Sequence, residues 1–197
     1  MSTRIGLYGG TFDPIHIAHL FVAEKAREEM LLDRVIFMPS ANPPHKLKRI
    51  ITPTEHRFEM VQLAVADNPA FQVSRLEIDR GGKSFTVDTL QQLSENYHLT
   101  KDDLFMIVGA DSLLDLKNWR LPEKIIQLCT LVVAGRPNYF HSNIPDFIKN
   151  IVYLQTPMLE ISSSRLREWA RDGKSIKYLV PAKVEEYIKQ HHLYADV

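Results

Sequence analysis

The chain has a single cysteine, Cys129, among its 197 residues. One thiol cannot close a disulfide within the chain, so a disulfide-stapled scaffold is excluded and a reducing, cytoplasmic setting is expected. Cys129 lies between Leu128 and Thr130 near a strand start, where a buried, inert thiol is the expectation. Charge of either sign is not in surplus. The 24 Lys and Arg residues balance 24 Asp and Glu residues, for a formal net charge of +0. No long-range field is left to attract nucleic acid or an anionic membrane, although a local basic pocket stays open. Long hydrophobic runs are missing as well. No apolar segment approaches the ~20 residues of a membrane-spanning helix. The first strand-like residues follow the N-terminus at once, so no signal peptide is expected. Internal repeats and low-complexity tracts are absent.

What is present is an ordinary globular complement, with 45% hydrophobic residues, enough for one well-buried domain spanning 1–197. Short apolar runs mark strands at Ile5–Tyr8, Val35–Met38, Phe71–Val73, Leu104–Val108, Leu131–Ala134 and Ile151–Leu154. Helical patterns lie between or after them, at Ile17–Leu31, Thr54–Ala66, Thr86–Tyr97, Pro122–Leu128 and Pro145–Lys149. Two more, Ser162–Arg171 and Pro181–His191, make 162–197 a helical C-terminal subregion. Continuous short runs suit strands buried on both faces. Their alternation with helices predicts an α/β fold: a doubly wound, Rossmann-like parallel sheet with helices on both faces. Ligands of such sheets bind at the carboxyl ends of the strands, where the strand order reverses.

Gly9-Gly10-Thr11-Phe12-Asp13-Pro14-Ile15-His16-Ile17-Ala18-His19 joins the first strand to the first helix. The glycines permit a sharp turn and close approach to a ligand. Asp13 and Pro14 read as the N-cap and first residue of the helix. His16 and His19 then fall three apart on one face of its opening turns. A glycine turn at a helix N-terminus offers free N–H groups and a favourable dipole to an anion, and two imidazoles add to a phosphate reading. The alternatives are an ordinary connection with surface histidines, or a zinc site, for which ligand-spaced partners are lacking and His45 would have to be brought in by the fold.

A second signal is Ile161-Ser162-Ser163-Ser164-Arg165-Leu166-Arg167. Arginines in a helix's first turns oppose the dipole unless an anion arrives. Serine hydroxyls, N–H groups and a bidentate Arg167 can all hold phosphate oxygens. Plain serine capping with solvated arginines is the other reading. Asn42-Pro43-Pro44-His45-Lys46 is a stiff loop after the second strand, and His45 and Lys46 could reach a triphosphate from it. Gly82-Lys83-Ser84 and Gly173-Lys174-Ser175 mimic the tail of a P-loop, but Glu77 and Glu168 stand where its first glycine belongs. A nicotinamide-dependent oxidoreductase is disfavoured, because the first turn is not G-x-G-x-x-G and no acid follows the second strand.

Taken together, these segments resemble the nucleotidyltransferase α/β-phosphodiesterase superfamily. Within it they are most similar to the bacterial nicotinate-nucleotide adenylyltransferases. The resemblance spans nearly the whole chain and extends to Ser84-Phe85-Thr86-Val87-Asp88-Thr89, Gly109-Ala110-Asp111, Trp119-Arg120 and Gly135-Arg136-Pro137. It implies attack by the phosphate of nicotinate mononucleotide on the α-phosphorus of ATP, with Mg²⁺ arriving on ATP and no protein metal site. Catalytic roles are implied for His16, His19, Lys46 and Arg167. ATP would be bound by Gly9, Gly10, Thr11, Phe12, His19, Gly109, Asp111, Ile161, Ser162, Ser163 and Arg167. The mononucleotide would be bound by Phe85, Thr86 and Trp119, with Thr86 opening a helix that receives the carboxylate and Trp119 stacking on the pyridine ring. For Phe85 and Trp119 the other reading is core packing.

Ala18 departs from the family's glycine, and its methyl could crowd a nucleotide. Ser164 and Leu166 replace a threonine and an isoleucine. Other adenylyltransferases of the superfamily, taking nicotinamide mononucleotide or phosphopantetheine, are the neighbouring alternatives. A sensing module that binds ATP without turnover is a more distant one. Monomer and homo-oligomer both fit the sequence.

Overall fold

The computed structural model describes residues 3–41, 51–135, 147–148, 151–157 and 159–195. Six strands form one parallel sheet: β1 (Ile5–Gly10), β2 (Arg34–Pro39), β3 (Phe71–Val73), β4 (Leu104–Gly109), β5 (Thr130–Ala134) and β6 (Ile151–Tyr153). Their order is β3-β2-β1-β4-β5-β6, with every neighbouring pair parallel. The order reverses between β1 and β4, so a crevice opens at the carboxyl ends of those two strands.

Alternation along the strands divides the core. Tyr8, Val35, Phe37, Phe105, Ile107 and Val132 face one side, and Ile5, Leu7, Ile36, Met38, Leu104, Met106 and Val108 face the other. The first side is covered by α1 (Ile17–Glu29), α2 (Thr54–Val65), α7 (Ser163–Arg171) and α8 (Ala182–Gln190). The second is covered by α4 (Thr86–Tyr97), α5 (Ala110–Asp115) and α6 (Pro122–Leu128). Each fully buried aliphatic side chain contributes roughly 1.5–3 kcal/mol through removal from water. α1 lays only alanines, Ala23 and Ala26, fully against the sheet. α4 uses Val87, Leu90 and Leu93, spaced along one stripe.

The expected fold class holds, with three corrections in detail. Asp13 and Pro14 do not start α1. Their peptide is cis, and the helix begins at Ile17 with extended His16 as its N-cap. Two helices were not anticipated: α5, directly after β4, and α3 (Leu76–Arg80), a short helix before the loop that leads into α4. A single 3-10 turn, Leu116–Asn118, follows α5. The sixth strand stops one residue earlier than the apolar run suggests. Of the expected helix over Pro145–Lys149, only Phe147 and Ile148 lie within the described residues. Cys129 is buried as expected, and burial pushes its thiol up to about 12, so it stays protonated and inert. Among the described residues no helix is long and apolar enough to cross a membrane.

Candidate active site

A cleft of about 580 Å³ opens at the strand reversal. Gly9, Gly10 and Thr11 from the end of β1, Gly109 and Asp111 from the end of β4, and Ser84, Phe85, Thr86 and Trp119 all line it. The register aligns Gly9 with Met38 and Gly10 with Pro39, so the turns after β1, β2 and β4 share one edge, as expected. Asn42 to Lys46 lie outside the described residues.

Glycine at position 10 is a steric requirement. A Cβ there would lie 2.8 Å from the tip of the Phe12 ring. That ring is only 3% exposed and is hemmed in by Tyr8, Phe37 and His19, so it has nowhere to retreat. Phe12 itself adopts the left-handed region at φ 49, which its buried ring and neighbours enforce. Its ring therefore sits beneath the turn and not in the cleft wall.

His16 and His19 stack face to face, 3.6 Å between ring centroids and 20° from parallel. The backbone N–H of His16 donates to His19 Nδ1 at 3.2 Å. An accepting Nδ1 places the ring proton on Nε2, so His19 presents an N–H donor in its neutral form. His16 is 5% exposed, and its Nδ1 is buried without a hydrogen-bond partner. The ring leans over the first turn of α1 in a capping-box arrangement with His19. Burial pushes its pKa down to about 4 from an ordinary 6.5.

This shift has a measurable sign. Below pH 6.5 the unfolded chain takes a proton that folded His16 refuses until about pH 4. Stability from this group is therefore lost as pH falls through that window. The expected loss by about pH 5 is roughly 2 kcal/mol. Urea midpoints of wild type and His16→Gln at about pH 7.5 and about pH 5 check it, with the variant expected to lose less.

The start of α7 meets the first turn, as the two serine- and glycine-marked segments predict. The Ser163 hydroxyl donates to the Pro14 carbonyl at 2.9 Å, and Arg167 Nη1 donates to the Asp13 carbonyl at 2.6 Å. Arg167 Nη2 also donates to Ser164 Oγ at 3.2 Å. These groups thus hold the turn in this structure. Ser162 is the exposed N-cap, and Ile161 packs against the core on the α1 side. Ala18 is buried and absent from the cleft wall, so its methyl leaves the cleft clear.

On the opposite side, α4 begins at Thr86 with Phe85 as an N-cap that supplies no side-chain hydrogen bond. Asp88, the acid of its first turn, is drawn aside to Arg120 at 3.1 Å. Ser84 Oγ is buried in the cleft wall beside the Glu77 carboxyl. An uncapped helix start with its own acid diverted suits a carboxylate. Trp119 donates Nε1–H to Asp115 Oδ2 at 3.2 Å, which fixes the indole at the cleft wall. Among the described residues no group of three or more His, Cys, Asp or Glu could hold a metal ion. The two P-loop mimics follow helices α3 and α7, not strands, so neither can form a P-loop.

A family model described as cytidylyltransferase-like matches residues 7–169. A probable nicotinate-nucleotide adenylyltransferase of Thermus thermophilus is 46% identical, over 97% of this chain and 99% of its own. One from a Thermoanaerobacter species is 43% identical, over 97% and 94%. This chain belongs to the nicotinate-nucleotide adenylyltransferase family. The fold agrees: a Plasmodium falciparum nicotinic acid mononucleotide adenylyltransferase, solved in complex with NaAD, superposes with a TM-score of 0.78 at 22% identity. That match covers 98% of this chain and 97% of the other.

Three groups around this cleft escape sequence reading. Arg57 of α2 and Tyr194 beyond α8 both bond the first turn. Glu77 of α3 lines the cleft, accepting from Thr89 Oγ1 at 2.8 Å, and burial pushes its carboxyl up. Only Arg57 leaves a trace in the sequence. It falls on the same stripe of α2 as Met60, Val61 and Ala64, an arginine on an otherwise apolar face.

Proposed function

We propose that this chain transfers the adenylyl group of ATP to the phosphate of nicotinate mononucleotide, giving nicotinate adenine dinucleotide and pyrophosphate. The observation that carries this reading is a single cleft with two ends. One end is the glycine turn and the other is the uncapped start of α4 beside Trp119; the paired imidazoles follow that turn in the chain and lie outside the cleft wall.

In the reaction, a phosphate oxygen of the mononucleotide forms a bond to the α-phosphorus. The bond from that phosphorus to the bridging oxygen breaks, and pyrophosphate leaves with the electron pair. No covalent enzyme intermediate is needed. The work is positioning and charge stabilisation. Gly9, Gly10, Thr11 and Phe12 approach the phosphates, and His19 Nε2–H donates to the transferring group. His16 Nδ1, unpartnered without substrate, gains an anionic neighbour that raises its affinity for a proton. Arg167, Ser162 and Ser163 take phosphate oxygens from the α7 side, and Lys46 takes the same role on the strength of the family resemblance alone. Gly109, Asp111 and Ile161 bound the adenosine. ATP enters as its Mg²⁺ complex. The nicotinate carboxylate sits at the start of α4 by Phe85 and Thr86, and its ring lies on Trp119.

We also take residues 1–197 as one nucleotidyltransferase domain, with 162–197 its helical part, working in the cytoplasm without nucleic-acid or membrane partners. A lone inert thiol and balanced charge support that placing.

Pyrophosphate release, run side by side on nicotinate mononucleotide, nicotinamide mononucleotide and phosphopantetheine, tests the reading. The acid is expected to outrun the amide by at least tenfold, because the amide brings no charge to α4. Equal or greater release with either other acceptor would reassign the substrate. ATP binding without release from any of them would make this a sensing module.

A further inference from the structure

Thr11 to Pro14 belong to no helix or strand, so their carbonyls must find partners elsewhere. Three are met by side chains from distant elements: Thr11 by Arg57 Nη1 at 2.8 Å, Asp13 by Arg167, and Pro14 by Ser163. Arg57 stands apart from the other two. It is 1% exposed and lies outside the cleft wall. Its Nε donates to the Thr52 carbonyl at 2.9 Å, and its Nη2 to the Ala41 carbonyl at 3.3 Å and Thr54 Oγ1 at 3.0 Å. Each nitrogen is spent on a neutral oxygen. The Asp13 carboxylate, itself buried, supplies a compensating charge. A buried ion pair is weak evidence for stability, because well-packed apolar side chains often serve as well. What the guanidinium adds is a fixed position for the carbonyls it holds.

The geometry of the Thr11–Phe12 peptide gives that fixed position a use. In a planar trans peptide the C=O and the following N–H point in opposite directions. Thr11 lines the cleft while Arg57 lies behind it. We propose that Arg57 is a positioning residue for adenylyl transfer: it draws the Thr11 carbonyl back toward α2 and so aims the Phe12 N–H at the nucleotide phosphates. This rests on the adenylyl-transfer reading above. A cation at the carbonyl end also polarises the peptide and strengthens its N–H as a donor. Phe12, with its ring buried and φ at 49, is held to one backbone orientation, so the aim is fixed before ATP arrives.

Arg57→Lys keeps the charge but cannot span the four oxygens. Its kcat/KM for ATP is expected to fall about tenfold, with the KM for the mononucleotide within about twofold of wild type. Equilibrium binding of MgATP should weaken alongside. A merely structural role would lower the melting temperature and leave this split between substrates unmoved. In the wild-type protein, MgATP should shift the Phe12 amide resonance and slow its hydrogen exchange. A folded Arg57→Lys with wild-type MgATP affinity and kcat/KM overturns the proposal, as does a Phe12 amide that MgATP leaves untouched. If Arg57→Lys does not fold, the wild-type amide decides alone. Absence of pyrophosphate release from wild type would instead overturn the adenylyl-transfer reading, while the binding and amide measurements still judge Arg57.

Discussion

Replacing His19 with alanine is expected to lower kcat by about 10²-fold or more, while the KM for ATP changes little. The reason is geometric. The bond from the His16 backbone to His19 Nδ1 fixes the tautomer, so Nε2–H is a donor in place before substrate binds. The ring is held edge-on to Phe12, 5.1 Å between centroids, and stacked on His16. A donor that needs no reorganisation acts chiefly on the charge that grows in the transition state. His19→Gln, which can place an amide N–H in a similar position, should recover part of the loss. Steady-state kinetics on both variants check this. Unchanged turnover in His19→Ala would remove the residue from the reaction.

The second large effect is expected at Trp119. Trp119→Ala should raise the KM for the mononucleotide about 30-fold, the scale of losing one base–aromatic stack, and leave the KM for ATP nearly unchanged. Asp115→Ala should do the same more weakly, since the carboxylate orients the indole without touching the ring of the substrate. If the loss appears in ATP kinetics instead, the indole belongs to the adenine side. Both variants are measured with each substrate varied at saturating levels of the other.

Much of this was legible before the structure. Six apolar runs give six strands, because residues buried on both faces of a parallel sheet cannot alternate with polar ones. The crevice follows from the strand order. The serine-marked start of α7 meets the turn that follows Gly9 and Gly10, through Ser163 and the Pro14 carbonyl. The helix over Ile17–Leu31 begins where expected, but the cap expected at Asp13 fails for a physical reason. Asp13 has the composition of an N-cap, but its carboxylate accepts from the Tyr194 hydroxyl at 2.9 Å and the Thr52 N–H at 3.4 Å. A capping preference is local, and a partner 181 positions away overrides it. Arg57, Glu77 and Tyr194 were missed on similar grounds. Their roles lie in what the tertiary fold brings to them, and a single buried arginine or carboxyl carries no spacing pattern. α5 was missed because a six-residue helix has too few turns to show a period.

The bond between Asp13 and Tyr194 also sets an order of events during synthesis. All six strands have emerged by Tyr153, so the sheet can close while α7 and α8 are still to come. At that stage Arg57 can already hold Thr11, but Arg167, Ser163 and Tyr194 do not yet exist to secure Asp13 and Pro14. The residues that open the chain's first turn thus wait for its last ones. A chain made only as far as β6 holds every strand, yet lacks both the α7 and α8 side of its core and the groups that secure Asp13 and Pro14.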